Sequence, residues 1–153
     1  MRGKALSKDP IVFLLVEDSE HDILAFRRAW QDDCIASGLQ AVRDGQECLE
    51  YLHHHGRYRR EEDAPRPKII LLNNRMPGIE GLTVLDKIRQ NEASENIPII
   101  IFTSVESDLK ETQSYDLGAN AYVVKPMNYE DLSRTVRSSN DFWELVQVPE
   151  KSL

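Results

Sequence analysis

Four short apolar runs, each closing on a polar residue, constrain this chain more than anything else in it. The sharpest is Ile69, Ile70, Leu71 and Leu72, preceded by Lys68 and followed by Asn73, Asn74 and Arg75, with Met76, Pro77 and Gly78 to turn the chain. A run this short and apolar at every position suits a strand buried on both faces of a parallel sheet, with the polar residue delivered to the sheet's edge. The other runs lead from residues 12–16 into Glu17 and Asp18, from 99–102 into Thr103 and Ser104, and from 122–124 into Lys125 and Pro126. Open parallel sheets bind ligands beyond the carboxyl ends of their strands, where strand order reverses. Acid, amide, hydroxyl and ammonium groups are therefore expected to converge there.

The segments between the runs read as helices and loops. Ser19 with Asp22 is a helix-start signal, and Ile23, Phe26 and Trp30 recur at helical spacing, which predicts a helix over residues 19–35. Gly38 breaks that pattern, and residues 39–43, only partly apolar, suit an edge strand. Asp44 with Glu47 is a second cap, followed by Cys48, Leu49 and Leu52 on one helical face. The run His53, His54, His55 reads as a frayed, solvated helix end, because adjacent helical residues point apart and cannot share a metal; His21 reads as exposed. Residues 56–67, dense in Arg, Glu and Asp with two prolines, read as a solvated loop longer than most connections.

Further on, Leu82, Leu85 and Ile88 give a helix face, and residues 97–102 a fourth strand. Residues 108–117 give a sparsely apolar surface helix that Gly118 ends. Residues 121–124 form a fifth strand, and Leu132, Val136 and Ser139 mark a last helix from near Asn128. This alternation is a doubly wound α/β fold: a five-stranded parallel sheet with helices on both faces and right-handed crossovers.

At 153 residues the chain fits one domain. A net charge of −7 argues against the clustered basic face that nucleic-acid binding needs. Residues 1–10 read as a flexible leader; Arg2, Lys4 and Lys8 precede an apolar run too short for a signal peptide, and no stretch approaches a membrane span. Cys34 and Cys48 have neither metal-knuckle spacing nor the number for a disulfide framework, so reduced thiols and a cytoplasmic location are expected.

Taken together, the strand ends resemble the receiver domain of two-component response regulators. That family has an acidic pair after strand 1, a phosphoaccepting Asp after strand 3, a Ser or Thr after strand 4 and Lys-Pro after strand 5. The resemblance runs from Pro10 to Trp143. It implies a flavodoxin-like strand order, 2-1-3-4-5, a receiver domain over residues 11–143 and a C-terminal extension over 144–153. It also implies a site in which Glu17 and Asp18 hold Mg²⁺, Thr103 and Lys125 contact a phosphoryl group, and Tyr122 swings inward when Thr103 moves. By their chemistry Glu17 and Asp18 suit a hard cation; the pair alone reads first as two solvated acids at a helix start, and Thr103 and Lys125 at matching strand ends turn the reading to a site. Tyr122 alone is equally a half-buried strand aromatic. Arg75, Ser104 and Pro126 border the site, the Lys125–Pro126 bond being a candidate cis peptide.

The departure from the family falls at its centre, since the phosphoacceptor position holds Asn73. Phosphotransfer from phosphohistidine needs a nucleophilic oxygen, and a primary amide is a very poor one, so no acyl phosphate is expected. A natural pseudo-receiver and an ordinary phosphoaccepting regulator carrying an engineered Asp-to-Asn change are both compatible with this. Arg75 favours the first, because an engineered change leaves its neighbours in the family pattern. A standard receiver pocket keeps a net negative charge that matches Mg²⁺, whereas here Glu17 and Asp18 are cancelled by Lys125 and Arg75 if Arg75 points inward, the alternative being an Arg75 turned to solvent. Mg²⁺ binding is therefore expected to be weak or absent.

The tail carries Phe142, Trp143, Leu145, Val146 and Val148, and resembles the extension of small single-domain regulators that partner phytochrome-type histidine kinases. That resemblance implies a sensor histidine kinase as partner, and the cluster itself, too apolar to leave exposed, predicts a homodimer through the tail; Phe142 and Trp143 covering the domain's own core is the alternative. A small doubly wound enzyme or cofactor binder is a third class. Against it stand the lack of a Gly-rich phosphate loop, a nucleophile elbow or a placed catalytic His or Cys, so no enzyme is expected.

Overall fold

A computed structural model describes residues 12–33, 35, 38–74, 80–103, 118–124 and 128–145, with the backbone alone at Thr103, Tyr122 and 139–145. Five strands, β1 (Val12–Val16), β2 (Gly38–Val42), β3 (Ile69–Asn73), β4 (Ile99–Thr103) and β5 (Ala121–Val124), pair in parallel in the order β2-β1-β3-β4-β5. The doubly wound sheet and its strand order are as expected. β1 and β3 are buried at every position, as central strands covered on both faces must be, while β2 at the edge alternates exposed and half-buried residues until the buried Val42.

Strand alternation sorts the core into two layers. Leu14, Val16, Ile70, Leu72, Ile99 and Ile101 pack with helices α2 (Gly45–His53) and α3 (Gly81–Arg89). Phe13, Leu15, Ile69, Leu71, Ile100 and Phe102 pack with α1 (Glu20–Asp32) and α4 (Tyr129–Leu145), whose anchors include Ile23, Phe26, Trp30, Leu132 and Val136. Edge-to-face ring pairs, Phe13 on Trp30 at 4.9 Å and Phe26 on Phe102 at 5.8 Å, key α1 to the sheet.

Both anticipated caps form: Ser19 Oγ accepts from the Asp22 N–H at 3.2 Å, and Asp44 Oδ1 from the Glu47 N–H at 2.7 Å. α1 stops at Asp32, short of 35, because Asp32 and Asp33 are acids at the negative end of the helix dipole. β2 and β4 are shifted by one or two residues from residues 39–43 and 97–102. α4 continues as one helix through Leu145, past residue 143.

Residues 56–67 correct the expectation of a solvated loop. They form two 3-10 turns, Gly56–Tyr58 and Glu61–Asp63, with Tyr58 and Ala64 buried in the α2 layer. The Tyr51 hydroxyl donates to the Pro65 carbonyl at 2.8 Å, and the Tyr58 hydroxyl to Glu47 at 2.5 Å. Nor is the histidine run frayed: His54 ends α2 in the left-handed region at φ 58° and its ring nitrogen lies 3.0 Å from the Ala64 carbonyl. His53 is half-buried, and burial lowers its pKa. His21 is exposed, as expected.

A second fastening was not foreseen. The half-buried Arg89 guanidinium at the end of α3 donates to the carbonyls of Gly118, Glu95 and Ile97 at 3.0, 3.0 and 2.8 Å, and to Asn120 Oδ1 at 3.2 Å. Gly118 has the positive φ expected of it, 107°, and a Cβ there would stand 2.8 Å from Arg89 Nε. The leader, the helix over 108–117, Cys34 and the Lys125–Pro126 bond lie outside the described residues. Among the described residues no helix is long and apolar enough to cross a membrane.

Cys48 is a buried free thiol in the α2 layer, and burial, reinforced by Glu47 and Asp44, pushes its pKa up to about 12. The folded chain thus holds this proton more tightly than the unfolded one, so the associated stability is complete below the unfolded thiol pKa and is lost as pH rises through the folded value. Between those values unfolding free energy should fall by about 1.4 kcal/mol per pH unit from this group. Urea titrations from pH 8 upward should show the fall beginning at a lower pH in the parent than in Cys48→Ala.

Candidate functional site

The site follows from strand register. Val16 pairs with Leu72 and Asn73 with Phe102, so the residues just beyond β1 meet the last residue of β3. Among the described residues four polar side chains are buried, and three of them, Glu17, Asn73 and Asn74, gather here; the fourth, Ser94, donates to the Ile88 carbonyl at 2.8 Å.

Glu17 is only 1% exposed. Its N–H continues the ladder to the Val42 carbonyl at 3.0 Å, which directs its side chain off the sheet's end, and its Oε2 accepts from the Ser19 N–H at 3.1 Å. The Asn73 amide nitrogen donates to Glu17 Oε2 and to Asp18 Oδ1, both at 3.2 Å. Asp18 is otherwise exposed. Two carboxylates and one amide are therefore drawn into a single hydrogen-bonded group at the carboxyl edge of the sheet.

Thr103 ends β4, one residue beyond the partner of Asn73, and pairs with Val124; Tyr122 pairs with Ile101 inside β5. Arg75, Ser104, Lys125, Pro126, Val146 and Val148 lie outside the described residues, while Phe142, Trp143 and Leu145 lie along the final turns of α4. Among the described residues no group of three or more His, Cys, Asp or Glu is arranged to hold a metal.

Two residues that hold this edge together were not singled out in the sequence for that part. Asn74 anchors the β3 end through its N–H to the Phe102 carbonyl at 2.7 Å, and its own carbonyl accepts from the Gly81 N–H at 2.9 Å. Gly81, the first residue of α3, sits so close that a Cβ would stand 2.7 Å from the Asn73 carbonyl oxygen and 2.8 Å from Asn74 Cα. A glycine opening a helix without a helix-propensity reason was the available signal.

With this geometry in place, the chain's class is clear: residues 13–137 match the family described as the response regulator receiver domain, and the protein belongs to that family. It is similar to the response regulator Rcp1 of Synechocystis, at 35% identity over 94% of this chain and 96% of that one. The crystal structure of the Mn(2+)-bound form of Rcp1 matches at a TM-score of 0.81 and 34% identity, covering 92% of this chain and all of that one. The phosphorylated cyanobacterial phytochrome response regulator RcpA matches at a TM-score of 0.83 and 30% identity, over 92% of this chain and 99% of that one.

The contact at Gly81 admits no side chain without moving backbone. Gly81→Ala should lower stability by about 2 kcal/mol, the usual cost of overpacking a close contact, and should loosen the Asn73 end of β3. Urea unfolding followed by circular dichroism checks the first, and amide exchange at Asn73 and Asn74 the second.

Proposed function

We propose that this protein is a single-domain receiver of a cytoplasmic histidine-kinase pathway, of the phytochrome-associated kind, and that it signals by protein–protein contact without accepting a phosphoryl group. The observation that carries this reading is the Asn73 amide at the end of β3, its nitrogen turned to both carboxylates. A group presenting N–H to its surroundings is not a nucleophile, and phosphotransfer needs one. The relatives support the pathway: one is a cyanobacterial phytochrome response regulator described in a phosphorylated form. In this reading Asn73 occupies the phosphoacceptor position, Thr103, Lys125 and Tyr122 keep the family's switch positions, and Arg75 with Lys125 offsets Glu17 and Asp18, so that Mg²⁺ binds weakly.

Incubation with acetyl phosphate should leave the intact mass of the parent unchanged, while Asn73→Asp gains one phosphoryl group. A stoichiometric gain in the parent that disappears in Asn73→Ala would overturn the reading.

The tail supports a homodimer. Phe142, Trp143 and Leu145 lie along the end of α4, and Val146 and Val148 follow in the chain. Burying each such side chain contributes roughly 1.5–3 kcal/mol, more than a chain end leaves unused. Truncation after Ser139 keeps the buried anchors Leu132 and Val136 and should convert a dimer to a monomer in light scattering at micromolar concentration. Two monomers in that comparison would assign the tail to the domain's own surface.

A further inference from the structure

We infer that the Asn73 amide permanently replaces the divalent cation, acting as a strut that holds Glu17 and Asp18 in place without any ion. This rests on the receiver reading of the site and deepens it.

Chemistry settles which way the amide faces. Glu17 Oε2 and Asp18 Oδ1 each lie 3.2 Å from the same amide atom, and both are acceptors. Only the NH₂ end, with two hydrogens, can satisfy two carboxylates at once; the carbonyl end would set oxygen against oxygen. Glu17 Oε2 also accepts from the Ser19 N–H at 3.1 Å. A carboxylate buried as deeply as Glu17 needs such donors, because an uncompensated buried charge is very costly. Hydrogen bonds to ionised acceptors are the stronger kind.

The cation of the Mn(2+)-bound relative does not fit this donor set. Divalent cations of this class need oxygen lone pairs converging on one point, and here the inner lone pairs of both acids are met by N–H hydrogens. To admit a cation the amide must turn over, losing both hydrogen bonds. In a site with a third carboxylate instead, the acids repel one another until a cation arrives. The strut removes that dependence, so the carboxyl edge of β1 and β3 keeps one shape whether or not Mg²⁺ is present.

Full-length parent, Asn73→Ala and Asn73→Asp are titrated with MnCl₂, free Mn²⁺ being counted by electron paramagnetic resonance, and melted in EDTA and in MnCl₂. Asn73→Ala removes the competing donors and should bind Mn²⁺ at least about tenfold more tightly than the parent, the scale of losing one charge-assisted hydrogen bond. It should also melt lower than the parent in EDTA and recover in MnCl₂, while the parent melts at one temperature in both. Equal or weaker Mn²⁺ binding by Asn73→Ala would overturn the strut, since the amide would then be a ligand or a bystander. Should Asn73→Ala fail to fold, Asn73→Asp decides: a lower melting temperature than the parent in EDTA, raised by MnCl₂, is expected, and equality with the parent in both overturns the inference. A phosphoryl gain by the parent would sink the phosphorylation-deficient reading and leave these metal results standing; a tight Mn²⁺ site in the parent would sink the strut whatever its mass.

Discussion

Everything at the functional edge depends on the parallel register of β1 against β3. Val16 opposite Leu72 places the first polar residue after one strand against the last residue of the other, and so brings a buried glutamate within 3.2 Å of an amide nitrogen. A one-residue slip would send every side chain of β1 to the opposite face and exchange its layers. The register cannot slip, because each face is committed: Phe13 and Leu15 to α1 and α4, Leu14 and Val16 to α2 and α3. The two apolar layers thus act on the site from a distance, by forbidding every other alignment of its polar residues.

The periphery is held by a different device, single polar side chains that each gather several groups. Glu47 accepts from the Arg43 N–H, the Tyr58 hydroxyl and Arg57, joining the end of β2, the start of α2 and the segment after it. Arg89 does the same for carbonyls between α3 and β5. At Arg89 burial disfavours the charge and lowers its pKa, and four neutral oxygens offset that cost through fixed dipoles. Such hubs stiffen loops that have too little apolar surface to pack.

What was legible beforehand was whatever is local. The bounds of β5 and both helix caps depend on residues within a few positions of one another, and Ser19 with Asp22 and Asp44 with Glu47 behave as their spacing dictates. Residues 56–67 misled because their order comes from two apolar anchors, Tyr58 and Ala64, set in charged sequence, and from Tyr51, whose hydroxyl finds the backbone carbonyl of Pro65. Arg89 was illegible for the same reason, since its partners are main-chain atoms and carry no sequence signature. At the carboxyl edge, the strand ends singled out Glu17, Asp18 and Asn73, whose side chains the structure brings together. That one amide nitrogen bridges two acids required the register, and that Gly81 permits it required the path of α3.

The polar groups of the interior also show where the fold tolerates cost. Ser94 is buried and satisfied, but among the described residues two buried side-chain atoms have no hydrogen-bond partner, His53 Nε2 in α2 and the acceptor Asn74 Oδ1 just beyond β3. An orphaned acceptor of this kind costs about 1–3 kcal/mol, and it lies one residue from an amide that satisfies two acids. Satisfaction and deficit therefore sit side by side at the end of β3. A core selected for stability alone would place an apolar side chain of similar shape at residue 74, as β3 does at its preceding apolar positions. Departures from local consistency of this sort concentrate where a protein meets its ligands and partners rather than in its scaffold. The end of β3 thus departs from the apolar rule that the strand follows up to Leu72, while the register that positions it answers to packing.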